Sequence, residues 1–151
     1  MAYEHTQNGY LWLVVFVWSV LLGAVVVGFA GDERFEALIA MLGASLIIIV
    51  VVVWFNRLTV RVSGGEVRVG FGPGWPRRVI PTAEIVGFRR VRNKWFYGWG
   101  IRKVSGGWMY NVWGLDAVEL DLSNGKKFRI GTDEPSDLIR ALHAHTSLRA
   151  G

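Results

Sequence analysis

The residue types that carry most enzyme chemistry are scarce in this sequence. It contains no Cys, which excludes disulfides, thiolate metal sites and Cys nucleophiles. His5 precedes the first hydrophobic run, and His143 and His145 are two positions apart. In the helix predicted there, residues two apart point to different faces, so this pair is a poor chelate. The pattern predicts no catalytic residue, no metal site and no cofactor.

The acidic residues and the Gly-rich segments do not add a reaction centre. Glu119 and Asp121 share the face of a predicted strand that is opposite its apolar residues, so we expect that face to be solvated. Together with Asp116 they would meet a metal only by coincidence. The Gly-rich segments 70–74 and 98–100 open no predicted helix, as a phosphate-binding loop must, and are interpreted as turns or bulges. We therefore expect neither an enzyme nor a small-molecule substrate.

A stretch of basic and aromatic side chains, FRRVRNKWFYGWGIR at residues 88–102, indicates a binding surface. Such stretches are typical of nucleic-acid binding and of surfaces near a membrane. Aromatic and Arg side chains are also enriched in protein interfaces, and the chain has 13 Arg against four Lys. A solvated strand is the alternative, because Arg90 and Arg92 face one way and Arg89 the other. The candidate residues for contact with lipid or a partner protein are Trp12, Trp54, Arg57, Arg89, Arg90, Arg92, Lys94, Trp95, Trp99, Trp108 and Trp113.

Two uncharged runs, residues 11–30 and 37–55, indicate a membrane setting. As helices they would be about 28–30 Å long, which matches the hydrocarbon core of a bilayer. They predict two transmembrane helices, at about 10–30 and 37–55, joined by the acidic turn 31–36 into an antiparallel hairpin. A signal peptide is the weaker interpretation of the first run. The run is longer than a signal core, its leader lacks Lys and Arg, and no polar cleavage region follows it.

The distribution of charge predicts the orientation of this hairpin. Residues 1–56 carry one basic residue, Arg34, against four acids, whereas residues 57–151 carry 16 Lys and Arg against eight acids. By the positive-inside rule, we expect both termini and the C-terminal domain to lie on the cytoplasmic side of the membrane. An anionic membrane surface would repel nucleic acid, so nucleic acid is not an expected partner.

The composition of the two runs bears on what they contact. Neither contains a charged residue or a His, which argues against an ion path or a proton relay. Ser19 and Gly23 in the first run, and Ala40 and Ala44 in the second, have the spacing that allows close helix contact. We expect this contact to be the packing of the hairpin on itself.

The chain divides into a hairpin region, residues 1–56, and a predicted domain, residues 57–151. Alternation of apolar and polar residues, interrupted by Gly and Pro turns, predicts about seven short strands. They fall at about 58–62, 66–71, 77–80, 84–92, 100–104, 117–122 and 127–130, and a short eighth one is open at about 109–112. Thr132 and the early Pro135 then signal a helix, in which Leu138 and Leu142 share one face.

Short motifs in this domain resemble the bacterial pleckstrin-homology-like (PH-like) domain family over about residues 57–145. They are GWGIR at 98–102, Tyr110, Gly114, VELDL at 118–122, NG at 124–125, and IGTDEP at 130–135 with Leu138 and Leu142. The resemblance implies a PH-like β-barrel or sandwich with a C-terminal helix, in a bacterial protein. Together with the two-helix transmembrane hairpin, this predicts an α+β protein of the bacterial inner membrane. Fold alone does not imply a function.

Lipid binding in the wider PH superfamily uses basic residues on the first two strands and on the loop between them. Here that loop is Ser63–Gly65, flanked by Arg61 and Arg68, and it contains no Lys or Arg. This departure argues against stereospecific head-group recognition and leaves general attraction to anionic phospholipid open.

Two functions remain open at this stage. The first is a non-catalytic accessory or scaffolding subunit of a larger bacterial membrane complex, such as a respiratory or photosynthetic one. Its hairpin would pack on integral membrane subunits and its domain would cap their cytoplasmic face. The second is a free-standing, membrane-anchored module that binds or senses anionic lipid.

Overall fold

The computed structural model describes residues 2–28 and 35–146, without the side chains of residues 11, 12, 26, 27 and 37. Most of the predicted acidic turn and the side chain of Trp12 therefore lie outside the described residues. The elements are β1 Tyr3–Asn8, α1 Leu11–Gly28, α2 Phe35–Phe55, β2 Arg57–Ser63, β3 Glu66–Phe71, β4 Arg77–Pro81, β5 Ile85–Arg92, β6 Gly100–Val104, β7 Gly107–Asn111, β8 Asp116–Leu122, β9 Lys127–Gly131 and α3 Pro135–His145. The molecule is thus α+β.

The two N-terminal helices are apolar, and one meets the length of a membrane span. Among the described residues, Leu38–Phe55 of α2 is long and apolar enough to cross a bilayer, whereas Leu13–Val25 of α1 is a shorter apolar stretch. The helices contact each other through Trp18, whose indole Nε1 donates a hydrogen bond to the hydroxyl of buried Ser45 at 3.1 Å.

The predicted contact of small residues within the hairpin is wrong. A Cβ atom at Gly23 would meet no atom within 4 Å, and Ser19, Ala40 and Ala44 are exposed. The physical reason is Trp18. Its indole N–H bonds the hydroxyl of Ser45, so the helix faces that carry Trp18 and Ser45 are the ones that meet. The small residues therefore face outward.

Two sheets form the sandwich-like domain. One has the antiparallel order β1-β2-β3-β4, and the other has the order β5-β8-β9-β7-β6, in which β7 and β9 are parallel. Apolar side chains from both sheets form the core, and α3 covers it with fully buried Leu138 and Leu142. The expected C-terminal helix is confirmed. The described residues contain nine strands rather than about seven.

One strand that the sequence analysis missed is β1, formed by residues treated there as a leader. Its inward positions include polar Gln7, whose side-chain amide donates to the carbonyl of Trp113 at 3.0 Å. Its outward Glu4 and Thr6 bond Arg61 and Thr59 of β2. A strand with polar residues on both faces lacks the alternating apolar pattern by which strands are recognised.

Both apolar helices leave from one end of the domain. β1 leads into α1, α2 leads into β2, and Asn8 lies opposite Arg57 in the β1–β2 pair. We call this the helix-proximal end. By strand register it also carries the loop Gly72–Pro76, and the position of Gly9 beside Val112 ties the second sheet to the same end.

Candidate membrane-facing surface

The loop Asn93–Trp99, here called the aromatic loop, is fixed at its base. The backbone N–H of buried Asn93 donates to the carbonyl of Leu115 at 2.6 Å. The side-chain oxygen of Asn93 accepts a hydrogen bond from Arg129 at 2.9 Å, and the guanidinium of Arg129 lies 5.9 Å from the ring centre of Tyr97. These contacts hold the loop against the five-stranded sheet, where β5 ends.

The tip of the aromatic loop directs large apolar side chains into solvent. Trp95 is 81% exposed and Phe96 is 61% exposed, and their ring centres are 5.9 Å apart. Arg92 and Lys94 precede them, are exposed, and form no ion pair with another residue in the described ranges; the Nζ of Lys94 lies 5.6 Å from the ring centre of Phe96. An ordered loop that exposes aromatic and unpaired basic side chains fits a surface that is covered in use.

A row of three rings joins this loop to the start of α1. Trp99 stacks on Trp113 with ring centres 4.8 Å apart, and Trp113 meets the edge of Tyr10 at 5.3 Å. Tyr10 directly precedes α1. The row places the aromatic loop at the helix-proximal end of the domain, beside the segment that enters the apolar helix.

The loop Gly72–Pro76 exposes a second aromatic side chain at the same end. Its Trp75 is 70% exposed, and the carbonyl of Trp75 accepts a hydrogen bond from the indole of Trp54 at 2.5 Å. Trp54 is the penultimate residue of α2. Gly72 has a φ of +51° and donates its N–H to the carbonyl of Arg57 at 2.9 Å. The loop is therefore closed against the junction of α2 and β2.

Replacing Gly72 by Ala should loosen this junction. A Cβ atom there would lie 2.9 Å from the carbonyl oxygen of Trp54, and the positive φ disfavours any residue with a Cβ. We expect the free energy of unfolding to fall by about 1–3 kcal/mol and the segment 72–76 to become a site of limited proteolysis. Gly64→Ala is the matched control, since it has a φ of +60° but open space around it. Equal losses in both variants would contradict the role of the Trp54 contact.

Arg89 and Arg90 use their charges within the domain. Arg89 pairs with Glu119 and lies 3.7 Å from Asp121, and Arg90 bonds Asp116 at 3.1 Å. These partners stand across the β5–β8 pair. Both arginines are therefore less available for an external anion than Arg92 and Lys94 are.

Glu119 is not on a solvated face, as the sequence suggested, but is 2% exposed. Its carboxylate accepts hydrogen bonds from Arg129 at 2.5 Å, from Lys127 at 3.1 Å, and from Arg89. Burial raises the pKa of Glu119, but the hydrogen bonds and charges of Arg129 and Lys127 outweigh it and hold this pKa below its ordinary value. The cluster is a structural anchor for the strands that carry the aromatic loop.

Trp108 lies apart from the other candidate residues. It is 52% exposed and stands on β7 opposite Phe128, near the end of that strand that is away from the helices. The remaining candidates that the structure describes are brought together at the helix-proximal end, namely Trp54, Arg57, Arg92, Lys94, Trp95, Trp99 and Trp113. The sequence analysis missed Trp75 there. Its position between Gly and Pro in a turn was the available signal.

The loop between β2 and β3, which the sequence analysis considered for lipid head groups, is at the opposite end of the domain. Ser63–Gly65 joins the ends of β2 and β3 that are far from the helices, and the carbonyl of Gly65 accepts a hydrogen bond from the backbone of Thr82. This loop therefore points away from any bilayer that the helices enter.

Within the described ranges, no group of three or more His, Asp and Glu side chains could hold a metal ion. Comparison of the chain with protein-family models, with curated proteins and with solved structures finds no significant match.

Proposed function

We propose that this protein is a non-catalytic module, anchored in a bacterial inner membrane, whose β-domain rests on the anionic cytoplasmic surface of the bilayer. The observation that carries the proposal is the position of the exposed aromatic residues. Trp75, Trp95 and Phe96 all project from the end of the domain where α1 and α2 leave it.

Short connections keep this end close to the head groups. β2 begins two residues after α2 ends, and Tyr10 and Gly9 alone separate β1 from α1. If Leu38–Phe55 crosses the bilayer, Trp54 lies at its surface, where amphipathic rings are favoured. The loop bonded to Trp54 then lies at the same depth.

Basic residues at this end complement an anionic surface. Arg57, Arg77, Arg92 and Lys94 are exposed at or beside the strand ends nearest the helices. Each basic residue near such a surface contributes about 1 kcal/mol, an effect that falls off within a Debye length. The domain is already tethered, so this attraction sets its orientation on the bilayer.

The two-helix transmembrane hairpin and the cytoplasmic termini belong to this proposal. Pairing of β1 with β2 supports them, because it brings the segments before α1 and after α2 to one side. The charge asymmetry supports the cytoplasm as that side. A PH-like fold is proposed too, supported by the two sheets and the C-terminal helix, although the parallel β7–β9 pair is an addition to the expected pattern.

A second candidate function is an accessory subunit that packs on other integral membrane proteins. The outward position of the small residues favours it, because Gly23 has no neighbour within 4 Å of its Cβ position, and Ser19, Ala40 and Ala44 are exposed. Such residues allow another transmembrane helix to approach closely. The two functions are compatible in one molecule, and separate measurements test them.

The docking proposal predicts that Trp95 contacts lipid. The full chain would be placed in nanodiscs containing anionic lipid brominated close to the head group, and quenching of Trp fluorescence would be measured. We expect Trp95→Phe to lower the quenched fraction, whereas Trp108→Phe, which removes an unquenched ring at the far end, does not lower it. Reversing Arg92 and Lys94 to Glu should remove about 2 kcal/mol of attraction and raise hydrogen exchange in the aromatic loop.

The matched control for this reversal is the change of Lys103 and Lys126 to Glu, two exposed residues away from the helix-proximal end. Equal quenching in the Trp95→Phe and Trp108→Phe variants would overturn the docking proposal.

Native mass spectrometry of the protein extracted from its own membranes tests the second candidate function, the accessory subunit. Co-purifying chains that are lost when Gly23 becomes Leu would support it, and a lone chain would overturn it.

A further inference from the structure

A cleft opens between the two sheets on the side of the domain where their edge strands are β4 and β6. It has a volume of about 260 Å³. Ile101, Trp108, Tyr110 and Phe128 supply most of its apolar lining, with Arg78 and Lys126 beside them. This size lies near the lower end of small-molecule sites.

The apolar lining is part of the inner face of the five-stranded sheet. Trp108 stands opposite Phe128, and Tyr110 stands opposite Ile101, in neighbouring strand pairs. The ring of Tyr110 packs at 5.2 Å from that of Phe128 and at 5.3 Å from that of Phe71. The floor is therefore well packed, while Trp108 at the rim is half uncovered.

The charges around the cleft are of one sign. Arg78 and Lys126 are exposed and form no ion pair with any residue in the described part of the chain. Lys127 also lines the cleft but is bound to Glu119 and Asp121. None of the described lining residues is acidic. Arg78 lines the cleft together with Tyr110. Burial raises the pKa of Tyr110, and the positive charge of Arg78 opposes this shift.

From this combination we infer that the cleft binds a single-chain anionic amphiphile, such as a medium-length alkyl carboxylate or alkyl phosphate. The chain would lie on Trp108, Tyr110 and Phe128, and the head would meet Arg78 and Lys126. Burial of the alkyl chain on the apolar floor favours binding, and so do charge-assisted hydrogen bonds between the negative head group and the two unpaired cations. A neutral amphiphile would gain only the first of these contributions.

The ligand would come from solution and not from the bilayer that the helices enter. Trp108, Lys126 and Phe128 lie toward the ends of β7 and β9 that face away from the helices. A bilayer lipid would have to leave the membrane to reach them. The cleft is thus a site separate from the proposed membrane-docking surface.

The test uses octanoate, with octanol as its uncharged counterpart, on the full chain in nanodiscs of zwitterionic lipid. Binding would be followed by ligand-observed NMR, with empty nanodiscs as the blank. We expect Arg78→Glu and Trp108→Ala each to weaken octanoate binding about tenfold. Octanol should bind more weakly and respond to Trp108→Ala but not to Arg78→Glu.

Two further variants keep the result interpretable. Trp108→Phe preserves a ring and should retain most of the affinity if the wild-type contact is an apolar one. Trp95→Ala, at the membrane-docking surface, should leave octanoate binding unchanged. Octanoate binding that persists in both Arg78→Glu and Trp108→Ala would overturn the proposal, as would equal affinity for octanoate and octanol. Melting temperatures of each variant show that a loss of binding is not a loss of fold.

Discussion

Replacing Glu119 by Ala lowers the free energy of unfolding by about 2–4 kcal/mol, which makes it one of the two most damaging single changes we expect. The substitution removes the carboxylate that accepts hydrogen bonds from Arg89, Lys127 and Arg129. Arg129 is nearly buried and would keep its charge without this partner. Because Arg129 also holds Asn93 at the base of the aromatic loop, hydrogen exchange in that loop should rise in the same variant.

The contribution of Glu119 also depends on pH in a defined direction. The pKa of Glu119 is lowered in the folded protein, so its stabilising effect is fully present above the ordinary pKa of about 4.5. The effect is lost as the pH falls from that value through the lower, folded pKa. The difference in free energy of unfolding between wild type and Glu119→Ala should therefore be constant near neutral pH and shrink in acid.

Chemical denaturation of the full chain in mild detergent, followed by Trp fluorescence at several pH values, measures both effects. Glu119→Gln is the matched control, because it preserves shape and one hydrogen-bond acceptor but removes the charge. Asp121→Asn should lower the free energy of unfolding less than Glu119→Ala does, since Asp121 is more exposed and lies at the margin of the cluster. A Glu119→Ala variant as stable as wild type at pH 7 would show that the cluster contributes no net stability.

The burial of Glu119 could not be predicted from the local sequence pattern. Its place on the strand face opposite the apolar residues was predicted from the period of two. What covers that face is set by the pairing of β8 with β5 and β9, which brings Arg89 and Arg129 opposite Glu119. Local pattern therefore predicts which face a residue takes. The register between strands, which depends on segments far apart in the sequence, determines whether that face is exposed to solvent.

Elements formed by local signals were predicted well. In β2 the alternation of Leu58, Val60 and Val62 with polar residues identifies the strand, and all three side chains are buried. The Gly and Pro turns mark most strand ends. In contrast, β1 has no apolar alternation and pairs with a strand about 50 residues later, so only tertiary contact reveals it.

The candidate surface was predicted in part for the same reason. Trp95 and Trp99 were candidate contact residues from the sequence, and both are exposed. Their position at the helix-proximal end depends on the stacking of Trp99 on Trp113 and on the strand order, neither of which is local. Trp108, another candidate contact residue, lies at the far end of the domain and lines the cleft.

The parallel pair of β7 and β9 depends on the absence of a side chain at Gly107. A Cβ atom at this position would overlap the carbonyl group of Lys127, its partner across the pair. This is backbone in a sheet interior, and it cannot move aside without breaking the pair. We expect Gly107→Ala to lower the free energy of unfolding by about 3 kcal/mol or more, measured by the same denaturation experiment.

Gly87→Ala is the matched control, since Gly87 is also a strand glycine without a positive φ, and its nearest neighbour would lie at an ordinary 3.4 Å. A small change there and a large one at Gly107 would establish the close approach of β7 to β9. Gly107 and Lys127 also line the cleft beside Trp108, so Gly107→Ala should lose octanoate binding. Wild-type stability in Gly107→Ala would mean that β7 and β9 do not pair in this register. Trp108 and Phe128 would then not lie opposite each other in the lining of the cleft.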